Sequence, residues 1–397
     1  VPGVRRASNS PGLLIAEFLL FTVGHGDLDQ TSLPADLVGH RKSARAAALR
    51  RLAHSIINAD LSTIEGRVLA WLAGEQGKLH AFSAFDTCQG VDGLWYSGAA
   101  ITEAARCGAP IALHRDAQGE PVRQGPDLYK RAYAQSFGIA QEAVTKQQRH
   151  IGKVQELALG YGGGVGAFAA FAALYRIDLD DMAAQAHATL PPVLLQEAAR
   201  ALEWTRDTQR PTFELSERAW LMCDVFKRAW RQAHPAIVTF WSDVQAAAVQ
   251  AITHPGTVRS CRRLKLHYAN AWLRIRLPSG RLLHYPAARV DADGALSYMG
   301  PHPATRQWTR IATYGGKLVE NITQAVSRDV LAACMPRIEA AGYQIVLTVH
   351  DEIITEAATH SAFNAGHLAA LMTTAPAWAA GLPLAAEGFE TQRYRKH

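Results

Sequence analysis

Between residues 127 and 250 apolar positions recur at three- and four-residue spacing almost without a break. That periodicity predicts a long helical region, interrupted by the glycine cluster at 160–166 and by Pro191-Pro192. From about 255 to 300 the pattern changes to alternation. Trp272-Leu273-Arg274-Ile275-Arg276-Leu277 alternates, Pro278-Ser279-Gly280 turns, and Arg281–Tyr285 runs back, which predicts a hairpin. A helix is expected at about 316–334, then a strand, a tight turn and a strand over 343–355. Upstream, a short apolar strand at Ser55–Ile57 leads through a polar turn into an amphipathic helix, Thr63–Leu72. Residues 86–126, rich in Gly, Pro and small polar residues, read as an irregular insertion, and the basic, alanine-rich stretch Arg41–Arg51 reads as a helix. This order predicts an α+β chain in which a sheet domain is interrupted by a helical one.

Bulk properties refine the picture only slightly. A length of 397 residues exceeds what one core usually serves, so two or three subdomains are expected. A formal charge of +6 permits a polyanionic partner without demanding one. Cys88, Cys107, Cys223, Cys261 and Cys334 are scattered and form no CxxC pair, which argues against a disulfide framework or a zinc site and fits a reducing cytoplasm. Leu13–Val23 is apolar behind Arg5 and Arg6, but Glu17 interrupts it and it is too short to cross a bilayer. A buried core segment is the better reading, and no membrane association is expected.

Four constellations carry candidate chemistry. The first is Asp60-Leu61-Ser62-Thr63-Ile64-Glu65-Gly66-Arg67, a strand ending in a carboxylate. Taken alone, Ser62 and Glu65 also have the spacing of a capping box. The second is Val349-His350-Asp351-Glu352 between two β-patterned runs. Its adjacent acids fit either a solvated turn or a divalent-metal site, and carboxylates from distant strand ends can hold two Mg²⁺ ions for phosphoryl displacement. The third is Arg149, Lys153, Leu157 and Tyr161, four residues apart on one broad helix face. It is either a solvated basic helix or a nucleoside triphosphate site, with cations for the phosphates at one end and an aromatic at the other. The fourth follows Tyr314-Gly315-Gly316, where Lys317, Asn321, Gln324 and Arg328 share a face. That stripe is either an ordinary surface or a reader of nucleic-acid phosphates and minor-groove acceptors.

The order D-x-S-x-I-E-x-R, then R-x-x-x-K-x-x-x-x-x-x-x-Y-G, then V-H-D-E resembles motifs A, B and C of family A DNA polymerases. Ile151–Tyr161 and Thr313–Asp329 look like the phage and prophage branch, and the likeness covers roughly 55–397. It implies a right-hand fold with an antiparallel-sheet palm and mostly helical fingers. Residues 1–54 would lead into the palm, 55–76 and 311–397 would form it, and 77–310 would be fingers bearing the 86–126 insertion. Asp60, Asp351 and the Leu61 carbonyl would hold two Mg²⁺ ions, with Mn²⁺ as a substitute. Arg149 and Lys153 would neutralise the dNTP triphosphate, Tyr161 would sit near the nascent base pair, and Glu65 would exclude ribonucleotides. Gln324 and His350 would contact primer–template DNA.

Three positions depart from the pattern. Leu157 stands where Phe or Tyr is usual. Tyr129 replaces a histidine associated with phosphate contact. Glu320 stands where an asparagine is usual, with Asn321 one place later. With 59 residues ahead of Asp60 and no D-x-E signature among them, the resemblance further implies a thumb that is absent or rudimentary, is supplied by an auxiliary chain, or is missing because the chain is truncated. It places the protein in the cytoplasm of a bacterial host. A single-subunit RNA polymerase shares much of this pattern but is open at the position of Glu65. An inactive prophage remnant that only binds nucleic acid is opposed by the intact Asp60, Asp351, Arg149 and Lys153.

Overall fold

Ile57, Ala59 and Leu61 alternate with Asn58 and Asp60, and this period of two gives strand β1, His54–Leu61, its apolar face. The computed structural model describes residues 54–394 apart from 187, 303, 360 and 361. The segments Leu13–Val23 and Arg41–Arg51 therefore lie outside the described residues. After β1 come helices α1 (Ile64–Ala73) and α2 (Gln76–Asp86), the short strands β2 (Cys88–Gln89) and β3 (Trp95–Tyr96), and helix α3 (Gly98–Arg106). The helical region holds α4 (Leu128–Phe137), α5 (Lys146–Leu159), α6 (Val165–Leu174), α7 (Leu179–Ala186), α8 (Pro192–Asp207), α9 (Glu217–Ala233) and α10 (Pro235–Thr253). Strands β4 (Val258–Cys261), β5 (Leu264–Ala269), β6 (Trp272–Arg276), β7 (Leu282–Pro286), β8 (Arg289–Val290), β9 (Leu296–Pro301) and β10 (Trp308–Thr313) follow. The chain then forms α11 (Gly315–Ala340), β11 (Gln344–Val349), β12 (Glu352–Ala358), α12 (Ala365–Thr373) and β13 (Ala386–Thr391). The architecture is mixed α+β.

The chain divides into two compact units. Among the described residues, one unit comprises Glu65–Phe85 and Gly125–Val326, and the other comprises residues up to Ile64, Asp86–Gln124 and those from Ser327 onward. The second unit is built on an antiparallel sheet of order β11-β12-β1-β13. As an interior strand, β1 is buried at Ile57, Asn58, Ala59 and Leu61. Helix α12 packs on β1 and β13, and α3 packs on α12. The 86–126 stretch, which reads as an irregular insertion, thus contributes a helix and the β2–β3 pair to this unit through Asp86–Gln124.

The first unit gathers α4–α10 around aromatic side chains. Phe226 meets Phe137 at 5.2 Å and Phe168 at 6.2 Å between ring centroids, both tilted, and Trp230 stacks on Trp241 at 6.0 Å. Tilted and offset ring pairs of this kind add to the burial term. The predicted hairpin is present as β6–β7, inside the meander β4-β5-β6-β7, and α10 covers one face of that sheet. Gly315 and Gly316 begin the part of α11 in this unit, where any β-carbon would strike the Trp241 and Tyr161 carbonyls. The helix continues past the predicted end at 334, through Pro336 to Ala340, with Cys334 and Ile338 buried in the other unit.

Candidate active site

Asp60 stands near the end of β1, directly opposite Glu352 on β12 and Glu387 on β13. Directly paired residues of antiparallel strands point to the same face, so the three carboxylates form a row across three adjacent strands. The Leu61 N–H donates to the Asp351 carbonyl at 3.1 Å, which fixes the β11–β12 turn beside the end of β1. That turn consists of His350 and Asp351 alone, because Val349 already pairs with Glu352. The predicted turn included Glu352, but this side chain belongs to the strand and is only 4% exposed. Asn58 donates to one of its oxygens, and the Tyr394 hydroxyl donates to the other at 2.9 Å. A buried carboxylate is tolerable only with such partners. Tyr394 has its phenol pKa raised, first by burial, then by the hydrogen bond to Glu352 and the charges of Glu352 and Asp60.

Two residues that bracket this row have left-handed backbone. Thr63 has φ 54° and His350 has φ 58°, in a region that non-glycine residues occupy at a cost. His350 Nδ1 lies 3.1 Å from Asp351 Oδ1. Asp60 and Asp351 are both half-buried, so water and ligand reach them. Among the described residues, no group of three or more His, Cys, Asp or Glu side chains forms a metal cage. The donor chemistry suits a hard cation all the same, since Mg²⁺ is commonly held by one or two carboxylates plus substrate phosphates.

The other expected residues sit in the helical unit. Thr145 and Gln148 form a reciprocal capping box that starts α5. Arg149, in the first turn, donates through Nε to Asp127 Oδ2 at 2.6 Å, and its guanidinium lies 5.0 Å from the Tyr129 ring centroid. Burial, foremost, pushes the Tyr129 phenol up to about 12. One turn on, the Lys153 ammonium lies 5.5 Å from the centroid of Tyr175. Leu157 is half-buried on the same helix. Gly160 caps the helix, so Tyr161 lies just past its end rather than on its face. Burial, then the nearby Glu65 and Glu320 carboxylates, hold the Tyr161 phenol well above the usual range. Its carbonyl accepts from the Tyr314 hydroxyl at 3.2 Å.

The polar stripe of α11 is partly engaged within the protein. Lys317 pairs with Glu320 at 2.9 Å, and Asn321 donates to the Tyr285 hydroxyl at 3.1 Å. Gln324 is half-buried, while Arg328 is exposed and belongs to the other unit. Asp60, Leu61, His350 and Asp351 therefore form one group, and Arg149 with Tyr129 and Glu65 with Tyr161 form two others.

Comparison with known proteins shows what the whole chain is similar to. The chain is 32% identical over 344 residues to the DNA polymerase of Bacillus phage SP02. The chain is a DNA polymerase homologue. The match takes in 85% of this chain and 40% of the phage polymerase, so the homologue spans less than half its relative's length. Among solved structures, the POL domain of Pol1 from M. smegmatis, in complex with DNA primer-template and dNTP, aligns with a TM-score of 0.44 at 14% identity. That alignment covers 85% of this chain and 39% of the mycobacterial one. No protein-family model matches the chain. No helix among the described residues of the homologue is long and apolar enough to cross a membrane.

Sequence reasoning missed the polymerase homologue's supporting residues. Asn58 lies two positions before Asp60 and so on the same strand face, a signal that alternation could have supplied. Asp127 precedes a helical run, where an N-cap was legible. Nothing in the sequence pointed from Tyr394 to Glu352.

Proposed function

We propose that the chain is the polymerase core of a family A DNA polymerase, adding dNTPs to a primer 3′ end along a template. The observation that carries this reading is the Leu61 N–H bond to the Asp351 carbonyl, which sets two half-buried carboxylates on adjoining strand ends. In this assignment the central-sheet unit is the palm of a right-hand fold, and the helical region belongs to the fingers. Asp60, Asp351 and the Leu61 carbonyl hold two Mg²⁺ ions, for which Mn²⁺ substitutes. When bound, the ions supply Lewis acidity that eases deprotonation of the primer 3′-hydroxyl and steadies the departing pyrophosphate.

The chain's own residues do the rest. Arg149 offers its terminal nitrogens to the triphosphate while Asp127 holds its Nε, and Lys153 adds a second cation one turn along. Tyr129 backs the guanidinium. Leu157 and Tyr161 lie toward the sugar and base, and Glu65 closes the space a ribose 2′-hydroxyl would need. His350, Gln324, Asn321 and Arg328 contact the primer–template duplex. Glu352, held by Asn58 and Tyr394, keeps the Asp60–Asp351 corner rigid. Cytoplasmic residence in a bacterial host accompanies this reading.

Primer extension on a recessed DNA template, with Mg²⁺ and dNTPs and an Asp351→Ala control, tests the assignment. Templated addition that disappears in the control is expected. No addition by the wild-type chain at low salt and high concentration would overturn it. Replacing dNTPs with NTPs in the same assay separates this reading from an RNA polymerase, which would favour the ribonucleotides.

A further inference from the structure

From 244 to 290 the sequence contains eight Lys and Arg residues and no Asp or Glu, whereas the formal excess of the whole chain is only +6. Most of this segment is the β4–β7 meander. Its cations divide by the faces of the sheet and its surroundings. Arg262 pairs with Asp243 at 3.1 Å, Arg263 stacks on Trp71, Arg281 donates to the Ala325 carbonyl at 2.7 Å, and Arg289 pairs with Asp291 at 3.1 Å. These four serve the fold.

The rest of the pattern follows from register. Lys265 pairs with Arg276, His267 pairs with Arg274, and Arg274 pairs with His284. Directly opposed residues share a face, and i, i+2 residues of a strand do too. Lys265, His267, Arg274, Arg276 and His284 are therefore all on one side of the sheet, with Trp272 of the same strand as Arg274. The opposite side presents Leu264, Leu266, Leu273, Ile275 and Tyr285, all buried, and carries α10; the eighth cation, Arg259, pairs with Leu266 and so belongs to that side. Hydrophobic burial thus fixes which way the cations point, and a one-residue slip would reverse it.

The outward side is open. Lys265, Arg276 and His284 are exposed, and Trp272 retains 39% of its surface. Among the described residues, Lys265, Arg274 and Arg276 have no ion-pair partner. Three cations and two imidazoles on adjacent strands, with no carboxylate in the sheet, make a polyanion the complementary ligand. Arg274 and Arg276 are about 6.8 Å apart along the strand, by the usual rise of about 3.4 Å per residue. An exposed indole beside them offers a stacking surface to any unpaired base.

The geometry points to this outward face of β4–β7 as a binding surface for single-stranded nucleic acid, with Lys265, Arg274 and Arg276 on the phosphates and Trp272 against a base. The assignment goes beyond the polymerase reading and needs neither metal nor nucleotide. It is therefore tested apart from catalysis, by anisotropy of a labelled oligo-dT strand in EDTA without dNTPs. The wild-type chain is expected to bind, and the Lys265→Glu, Arg274→Glu, Arg276→Glu triple variant to bind at least tenfold more weakly. Its log affinity should also fall less steeply with log salt, by about two, since each phosphate contact on a single strand contributes about 0.7. Trp272→Ala, which removes no charge, should weaken oligo-dT binding roughly tenfold while leaving the salt slope unchanged. Triple and Trp272 variants that unfold at the wild-type temperature yet bind as the wild type does would overturn the assignment. So would a wild-type chain with no affinity for the strand at low salt. Loss of primer extension with strand binding intact would instead count against the polymerase reading alone.

Discussion

The Asp127 carboxylate serves two helices at once. One oxygen accepts from the Tyr129 and Lys130 N–H groups at the start of α4, both at 2.9 Å, and the other accepts from Arg149 Nε of α5 at 2.6 Å. A helix cap thereby becomes the device that orients a cation on the neighbouring helix. The Asp127→Ala variant should lose about 1 kcal/mol of stability from the cap. Its KM for dNTP should rise several-fold while kcat changes less, because Arg149 keeps its charge but not its direction. Asp127→Asn, which can still cap, should recover the stability and not the KM. Thermal unfolding and steady-state extension kinetics measure both, and an unchanged KM in the alanine variant would refute the positioning role.

Glu352 is the buried neighbour of the proposed metal ligands. In Glu352→Gln the amide oxygen still accepts one hydrogen bond, so the fold should hold, but a negative charge beside Asp60 and Asp351 is gone. Changes to such supporting groups typically lower metal affinity or activity about 10–100-fold. A Mg²⁺ titration of primer extension should show the midpoint displaced to higher concentration. Glu352→Ala leaves Asn58 and Tyr394 without their acceptor and should in addition cost about 1–3 kcal/mol in urea unfolding.

Gly152 is where α5 and α4 touch. A methyl group there would land on the Tyr129 carbonyl, a backbone atom that cannot swing aside. Gly152→Ala should therefore separate the two helices and destabilise the protein by about 1–3 kcal/mol. Alanine favours a helix over glycine in itself, so a variant more stable than wild type in chemical denaturation would show that the contact is looser than described.

His234 gives the helical unit a dependence on pH. Its ring stacks on Trp230 at 4.3 Å, and Nδ1 donates to the Trp230 carbonyl at 2.8 Å. Burial, then the Lys78 ammonium, lower its pKa from the usual 6.5, against the opposing pull of Glu156. The unfolded chain then binds a proton near 6.5 that the folded chain takes up only at lower pH. Stability should fall as pH drops below about 6.5, and should not change through this group above that point. Urea midpoints between pH 5 and 8 should show this slope in the wild type and a flatter one in His234→Gln. Equal slopes would assign the acid sensitivity elsewhere.

Much of this fold was legible because its elements obey simple periods. The β6–β7 hairpin was placed by alternation and by its Pro-Ser-Gly turn. The β11–β12 pair was placed by its run of branched residues. Three features were not legible, each for a physical reason. The apolar run of β1 read as only Ser55–Ile57, because Asn58 looks like a turn residue, although the Asp60 carboxylate read as standing at a strand end. Pairing on both sides, and the bond from Asn58 to Glu352, keep β1 a strand to Leu61. α11 read as stopping before Pro336, yet the buried Ile338 anchors another turn. α3 was hidden because its glycine-rich surroundings look like loop and its support comes from α12, more than 250 residues away in sequence. Of the candidate site, the charged residues were visible in the sequence. The contacts that hold them were not: Asp127 is legible as a helix cap, but its bond to Arg149 and that of Tyr394 to Glu352 follow from no local pattern.

Arg123 donates to Glu387 at 2.9 Å, and Glu387 faces Asp60 across β13 and β1. Anyone trimming the 86–124 segment to obtain a smaller protein would remove that guanidinium. Such a shortened protein would carry an extra uncompensated anion next to Asp60, raising the local negative potential at the corner that the proposed assignment gives to the nucleotide's phosphates. A minimal version should therefore be made with Glu387→Gln, so that the deletion alters size without also altering charge.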